Sequence, residues 1–450
     1  MLQSTKTSAL EWEGAGLPEA PSAPETLTQA GLTLGFLNDL ILRTLYTRGG
    51  LLGLDLARLL CLPFKIIEEP LKFLKDEKCA EVTGGDLIGR VSYRFTLTEL
   101  GRHRAQDAMK QCAYVGPAPV PLEDYVEQTY RQAVTGITVT PDALRAAFSH
   151  LVLKEELFSA IGPAIVSGKS IFIFGPPGNG KTAMARGVGD FMNTCGGEIY
   201  IPYAFLAEHS IITVYDQAVH QLADESANDR LEDQEATIRR LLNTGTVDPR
   251  WVRIRRPVVI TGGELNLGML DLRYNVESNF YQAPLHVKAN GGIFLIDDFG
   301  RQLCSPKELL NRWILPLEDR HDFLSLASGK KFEVPFEQLT IFSTNLDPKD
   351  LVDDAFLRRI RHKVEVEAPP RDVYEKIFQA NVRRLGMNQC PEAVDYLYER
   401  YYTKDRNPRA SDCRDLLETV QSICRFRKQP VQLTRALMVE ASASFICEFK

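Results

Sequence analysis

Gly175-Pro176-Pro177-Gly178-Asn179-Gly180-Lys181-Thr182 set three glycines, a lysine and a hydroxyl in the spacing G-x-x-x-x-G-K-[ST]. Glycines let a backbone turn tightly enough to aim its N–H groups at phosphate oxygens. A helix opening at Ala183 would add its positive end. Lys181 would reach the β- and γ-phosphates of a nucleotide, and the Thr182 hydroxyl would ligate Mg²⁺. Such a loop needs a strand before it and a helix after it. The apolar run Ser170 to Phe174 and the helical pattern from Ala183 supply both.

A second group of oxygens follows. Ile293 to Ile296 is a short apolar run ending in Asp297 and Asp298. That pattern reads as a buried parallel strand tipped with carboxylates. Ligands of open α/β sheets lie beyond the carboxyl ends of the strands. Asp297 would hold the Mg²⁺ shell, through water, and Asp298 would polarise an attacking water. A third apolar run, Leu339 to Asn345, places a side-chain amide at its end that could hydrogen-bond the water or the γ-phosphate.

The elements that must position these groups are spread over a long chain. Its 450 residues predict two or three domains, and 44% hydrophobic residues suit a folded protein with a sizeable core. The net charge of −6 argues against global steering toward nucleic acid. No apolar stretch is long enough for a transmembrane helix and no signal segment opens the chain, so a cytoplasmic protein without membrane insertion is expected. Nine scattered cysteines contain no C-x-x-C pair, so free thiols are expected rather than a zinc or redox site. His209 and His220 have no partner at ligand spacing and read as structural.

Residues 1–29, rich in Pro, Ser, Thr and Glu, read as a disordered tail. Residues 30–112 predict helices at Leu34–Tyr46, Leu54–Leu60 and Phe64–Asp76, then a hairpin ending in the strand Val91–Thr98. The order suggests a winged helix. Over residues 31–120, twelve Lys and Arg stand against ten Asp and Glu. Glu68, Glu69, Asp76 and Glu77 lie among the lysines of the third helix, where carboxylates would repel phosphates. Protein docking is therefore favoured over DNA, with nucleic acid kept as an alternative.

Residues 113–154 read as linker and helices, with three prolines between 112 and 122, a helix at Glu123–Val134, and another opened by Thr140 and Pro141. An insertion at about 205–290 separates the two oxygen clusters. It contains a charged helical pattern, Leu222 to Leu242, and the interleaved run Arg250 to Arg256. That run reads as an ordinary half-exposed strand, as a partner-gripping element, or as a contact for single-stranded nucleic acid.

The order GPPGNGKT, IFLIDD, TIFSTN, AFLRRI and a helical C-terminus resembles the AAA+ ATPases over residues 155–445. KANGGIFLIDDFGRQ and the stretch leading into Leu339 are most similar to the MoxR and chelatase side of that family. The resemblance implies an α/β fold: a P-loop αβα parallel-sheet core over 155–370, a helical lid over 371–450, and the α+β winged helix in front. It also implies ATP and Mg²⁺ as ligands, Asn345 as sensor 1, Arg358 and Arg359 at the arginine-finger position, and Arg414 as sensor 2. It implies a homo-oligomeric ring, most often a hexamer, acting on a protein substrate or adaptor. The second acid of the family's Walker B motif is usually Glu. Asp298 is one methylene shorter, so slow turnover is expected.

Overall fold

The computed structural model describes residues 19–84, 92–223, 247–351, 357–402 and 406–445. The predicted helix from Leu222 lies largely outside them. The first helix, α1 (Leu34–Arg48), is capped by the Thr33 hydroxyl, which accepts from Phe36 N, and stops at Gly49, whose φ is 81°. β1 (Leu51–Leu52), α2 (Gly53–Leu60), α3 (Phe64–Asp76), β2 (Ala80–Gly84), β3 (Arg94–Leu97) and α4 (Glu99–Gln111) complete the unit. The strands form a sheet in the order β1-β3-β2. Its core gathers Leu37, Ile41, Leu56, Ile67, Leu71 and Phe95.

The proline-rich stretch after α4 does not hang free. Ala113 N–H donates to Ser278 O, Ala118 N–H donates to Leu60 O, and β4 (Val120–Pro121) pairs in parallel with β7 (Ala204–Ala207). α5 (Leu122–Arg131) follows and ends earlier than the predicted Val134. α6 (Pro141–Ala147) opens on the Thr140 cap, and α7 (Glu155–Ser167) leads into the nucleotide core.

Five strands form that core: β5 (Ser170–Phe174), β10 (Val258–Thr261), β13 (Ile293–Ile296), β16 (Leu339–Thr344) and β17 (His362–Glu365). They are all parallel, in the order β10-β13-β16-β5-β17. The registers Thr261↔Ile296, Ile296↔Phe342 and Thr344↔Phe174 bring the carboxyl ends of four strands to one edge. Side chains alternate across the sheet, as period-two strands require. Ile171, Ile173, Ile293, Leu295 and Ile341 pack with α6, α7 and α8 (Lys181–Cys195) on one face. Phe172, Phe294, Ile296 and Phe342 meet α10 (Pro306–Arg312) and Trp313 on the other. Trp313 is fully buried, edge-on to Phe294 at 5.2 Å and Phe336 at 5.4 Å. Emptying such a site would cost about 3–5 kcal/mol.

The insertion is folded. β7, β8 (Ser210–Thr213), β11 (Arg273–Asn275) and β12 (Phe280–Gln282) join β4 in a second five-stranded sheet. It packs on the N-terminal unit through Ala204 and Ile211, and on the hairpin of β14 (His321–Ser325) and β15 (Lys331–Pro335) through Phe205, Ile212 and Tyr281. The interleaved basic run forms β9 (Trp251–Arg255), antiparallel to β6 (Glu198–Pro202). Val252 and Ile254 are buried on one face and Trp251 on the other, and Arg253 pairs with Glu198. Arg250 and Arg256 are buried and spent on protein: Arg250 on Asp248 and the carbonyls of Ala30 and Pro119, Arg256 on the carbonyls of Gly196, Gln132 and Gly291. That arrangement fits the ordinary strand and not a gripping element. Between β13 and β16 the chain also runs through α11 (Ile314–Asp319), and α9 (Leu285–Lys288) precedes β13.

After β16, α12 (Pro348–Leu351) leads toward β17. The C-terminal helices are α13 (Arg371–Arg384), α14 (Pro391–Tyr396), α15 (Ala410–Phe426) and α16 (Arg435–Phe445). They have their own core around Tyr374, Phe378, Leu397, Leu416 and Val420.

Candidate nucleotide site

The buried strand β5 delivers the glycine loop to the carboxyl edge of the sheet. Gly175, Gly178 and Gly180 have φ of 137°, 84° and 87°, a region side chains rarely enter. Two of them also lack room for a side chain. A Cβ on Gly175 would lie 2.3 Å from Val366 O, and one on Gly178 would lie 2.6 Å from Ser411 Oγ. Pro176 and Pro177 are exposed, whereas Asn179 and Lys181 are buried. Lys181 Nζ donates to the carbonyls of Gly175 and Pro176, each at 2.8 Å. Burial pushes the Lys181 ammonium below its usual range, and the carboxylates of Asp298 and Asp297 oppose that shift.

Thr182 and Ala183 lie in the first turn of α8. The Thr182 hydroxyl donates to Asp297 Oδ1 at 3.0 Å, so residues 115 positions apart share one hydrogen bond across the carboxyl edge. Asp297 Oδ1 also accepts the Asp298 N–H at 3.1 Å. Asp298 is exposed at φ 48°, and its Oδ1 accepts from Asn345 Nδ2 at 3.1 Å. Left-handed backbone is several-fold easier for Asp than for most side chains.

These residues fit Mg²⁺ and a nucleotide phosphate. A hydroxyl and a carboxylate at the same point are the hard oxygen donors Mg²⁺ takes. Asn179 Nδ2 is a buried donor in the loop with no acceptor among the described residues. Buried donors without partners are uncommon, and a phosphate oxygen would satisfy this one. Thr182 and Asp297 would hold the metal.

The two candidate finger arginines differ. Arg359 Nε lies 2.6 Å from Glu318 Oε1, and its own carbonyl accepts from Ser170 Oγ. Arg358 is exposed. Arg414 needs a correction. Its guanidinium sits on its neighbour Asp415 at 2.8 Å, with the side chain 55% exposed. The lid arginine that meets the phosphate loop is Arg409, one turn earlier. Its Cβ and Cδ lie 3.4 Å from a Cβ built on Gly178. Ser411 N–H donates to Gly178 O at 2.8 Å, and Ala410 N–H donates to Asn179 Oδ1 at 3.3 Å. The signal in the sequence was Asn-Pro-Arg-Ala-Ser at the mouth of a helix. An arginine at the N-cap points toward whatever that helix end abuts, whereas Arg414 stands within the helix.

The fold and this site define a class: a P-loop αβα core of the AAA+ kind. Part of the chain is similar to a known nucleotidase. It is 30% identical over 139 residues to the proteasome-activating nucleotidase of Archaeoglobus fulgidus, a match spanning 29% of this chain and 33% of that protein. This chain thus matches about a third of the length of that relative. A profile described as a domain of unknown function (DUF8689) matches residues 370–444, the C-terminal helices. Similar solved structures include a RuvB mutant of Thermotoga maritima, at TM-score 0.33 and 11% identity, covering 69% of this chain and 72% of that one. Domain III of the Thermotoga maritima replication initiation protein DnaA gives 0.35 and 14%, covering 69% and 99%. At these scores the strand order and the loop geometry, not the superpositions, describe the fold. Among the described residues no helix is long and apolar enough to cross a membrane, and no cluster of His, Cys, Asp and Glu has metal-site geometry.

Proposed function

We propose that this protein binds ATP with Mg²⁺, hydrolyses it slowly, and uses the cycle to remodel a protein partner as a cytoplasmic homo-oligomeric ring. The observation that carries the reading is the Thr182–Asp297 hydrogen bond at the tip of the glycine loop. It joins the metal-holding groups of two separate motifs within reach of Lys181. Thr182 and Asp297 would hold Mg²⁺, which when bound would supply charge neutralisation for the nucleotide phosphates. Lys181 would move from the loop carbonyls to the phosphates. Asp298, held by Asn345, would orient the attacking water and take its proton. Arg358 of a neighbouring copy would complete the site as the finger, and Arg409 would report the nucleotide to the lid.

We read the N-terminal unit as a winged helix used for docking protein. Along the exposed side of α3, Lys65, Lys72 and Lys75 are interspersed with Glu69 and Asp76, and Phe73 is 40% exposed. A duplex phosphate backbone selects a basic surface instead. The MoxR-like assignment remains part of this proposal.

The test is steady-state ATP hydrolysis with Mg²⁺ and with EDTA, run beside light scattering with and without nucleotide. Mg²⁺-dependent turnover and a nucleotide-dependent rise in mass are expected. Absence of both ATP binding and turnover would overturn the reading. Tight binding without turnover would reduce it to a nucleotide-switched scaffold.

A further inference from the structure

Resting on the ATPase reading above, we propose that Gln302 is a positioning residue for that reaction, fixing the direction of the Asp298 carboxylate. Asp298 is a short acid at φ 48°, followed by Gly300 at φ 106°. A short side chain has few torsions with which to correct its aim, so the backbone at residue 298 decides where the carboxylate lies. That backbone is bounded by two peptide planes. The plane carrying Asp297 O sets φ of residue 298, and the plane carrying Asp298 O sets its ψ.

Gln302 touches both planes. Its Nε2 lies 2.9 Å from Asp297 O and 3.3 Å from Asp298 O, and it reaches Gly262 O at 3.4 Å. Its Oε1 accepts Gly300 N–H at 2.8 Å. One planar amide therefore spans the turn after β13 and the end of β10. The opposite side of the turn is fastened to β16: Phe299 N–H donates to Ser343 O at 2.7 Å, and Thr344 Oγ1 donates to Phe299 O at 2.7 Å. Asn345, next on that strand, holds the carboxylate itself. The strand fixes one side of the turn; on the other, the Arg301 N–H donates to Asp298 O at 3.0 Å and Gln302 is the side chain that also reaches the Asp297 carbonyl. Strained backbone persists only when its surroundings over-determine it, and Gln302 supplies that constraint on the open side.

Gln302→Glu keeps the shape and the acceptor and removes both N–H donors. The experiment measures ATP turnover, KM and the affinity for a fluorescent ATP analogue in the full chain, alone and combined with Asp298→Asn. Gln302→Ala is measured in parallel, so that a folding defect of one variant does not decide the result. The expected result is a fall in kcat of about 100-fold, the effect of displacing a reacting group by about 1 Å. KM and analogue affinity should stay within about two-fold, and no further loss should appear on top of Asp298→Asn. An unchanged kcat with a hydrolysing parent would overturn this inference alone. So would a loss that adds fully to that of Asp298→Asn, or a parallel loss of nucleotide affinity. A parent that binds the analogue but shows no turnover overturns the inference and the hydrolytic reading together.

Discussion

Asn345 donates a hydrogen bond from Nδ2 to Asp298 Oδ1 across 3.1 Å, joining the ends of two adjacent parallel strands. The contact places a neutral donor on the acid proposed to act on water and leaves its second oxygen for that task. Asp298→Asn should lower turnover by about 10²- to 10⁴-fold, the usual share of a general base, while a fluorescent ATP analogue still binds. Asn345→Ala should have a smaller effect in the same direction. Asp298→Glu should raise turnover, because the longer acid reaches further. It should also lower stability by up to about 1 kcal/mol, because Glu fits a positive φ less readily than Asp. Steady-state kinetics and thermal melts of the three variants check this. Equal loss of analogue binding in all three would count against it.

The lid contact yields a sharper contrast. Arg409 packs on Gly178, and the first N–H groups of α15 bond the loop. Arg414 pairs with Asp415 on the surface. Arg409→Ala should weaken nucleotide affinity and turnover at least about tenfold, a charge-assisted contact of roughly 1.5–3 kcal/mol. Arg414→Ala should stay within about 0.5 kcal/mol of the parent in stability and leave the kinetics alone. Isothermal titration of both variants decides it, and the reverse ranking would restore Arg414.

How much of this the sequence disclosed follows from how local each feature is. The glycine loop and the Asp297–Asp298 tip are short, contiguous patterns whose spacing states their chemistry, and the αβα core follows from the strands that frame them. The contact of Arg409 arises where a C-terminal helix meets a loop more than two hundred residues earlier, and only the fold brings them together. β4 is two residues long and consists of Val120 and Pro121, so no periodicity could reveal it inside a proline-rich stretch. Alternation gave the sides of β9 from Val252 to Arg255 but not the burial of Trp251 on the opposite face. It could not show that Arg256 would be buried against three carbonyls, because a buried arginine and a surface arginine are the same letter. The brace that Gln302 provides was invisible for the same reason.

The two arginines before β17 should separate in a mixing experiment. Arg359 is tied to Glu318 at 2.6 Å, whereas Arg358 is exposed. A finger acting in trans contributes about 10³- to 10⁵-fold. Arg358→Ala should therefore abolish most turnover, and Arg359→Ala should chiefly lower stability. Arg358→Ala subunits mixed with Lys181→Ala subunits should regain activity, because each supplies what the other lacks at a shared interface. Absence of any recovery in mixtures shown to co-assemble would remove the finger in trans.

His220 gives the insertion a pH dependence of known sign. Its Nδ1 accepts the Asp216 N–H at 2.9 Å, its Nε2 lies 2.9 Å from Lys288 O, and the ring stacks on Tyr215. Burial lowers its pKa from the ordinary 6.5. The Lys288 carbonyl, the Asp216 carboxylate and the Asp216 backbone contact resist the shift, and the Lys288 ammonium adds to it. A histidine with a depressed folded pKa binds fewer protons folded than unfolded. The stability it contributes is present above pH 6.5 and is lost as pH falls from 6.5 through the folded pKa. Melting temperature should therefore decline across that window in the parent. In His220→Gln, which keeps an amide near both backbone partners but cannot titrate, the decline should be shallower, and the two curves should converge at low pH. Parallel curves from neutral pH downward would show that His220 carries none of the acid sensitivity.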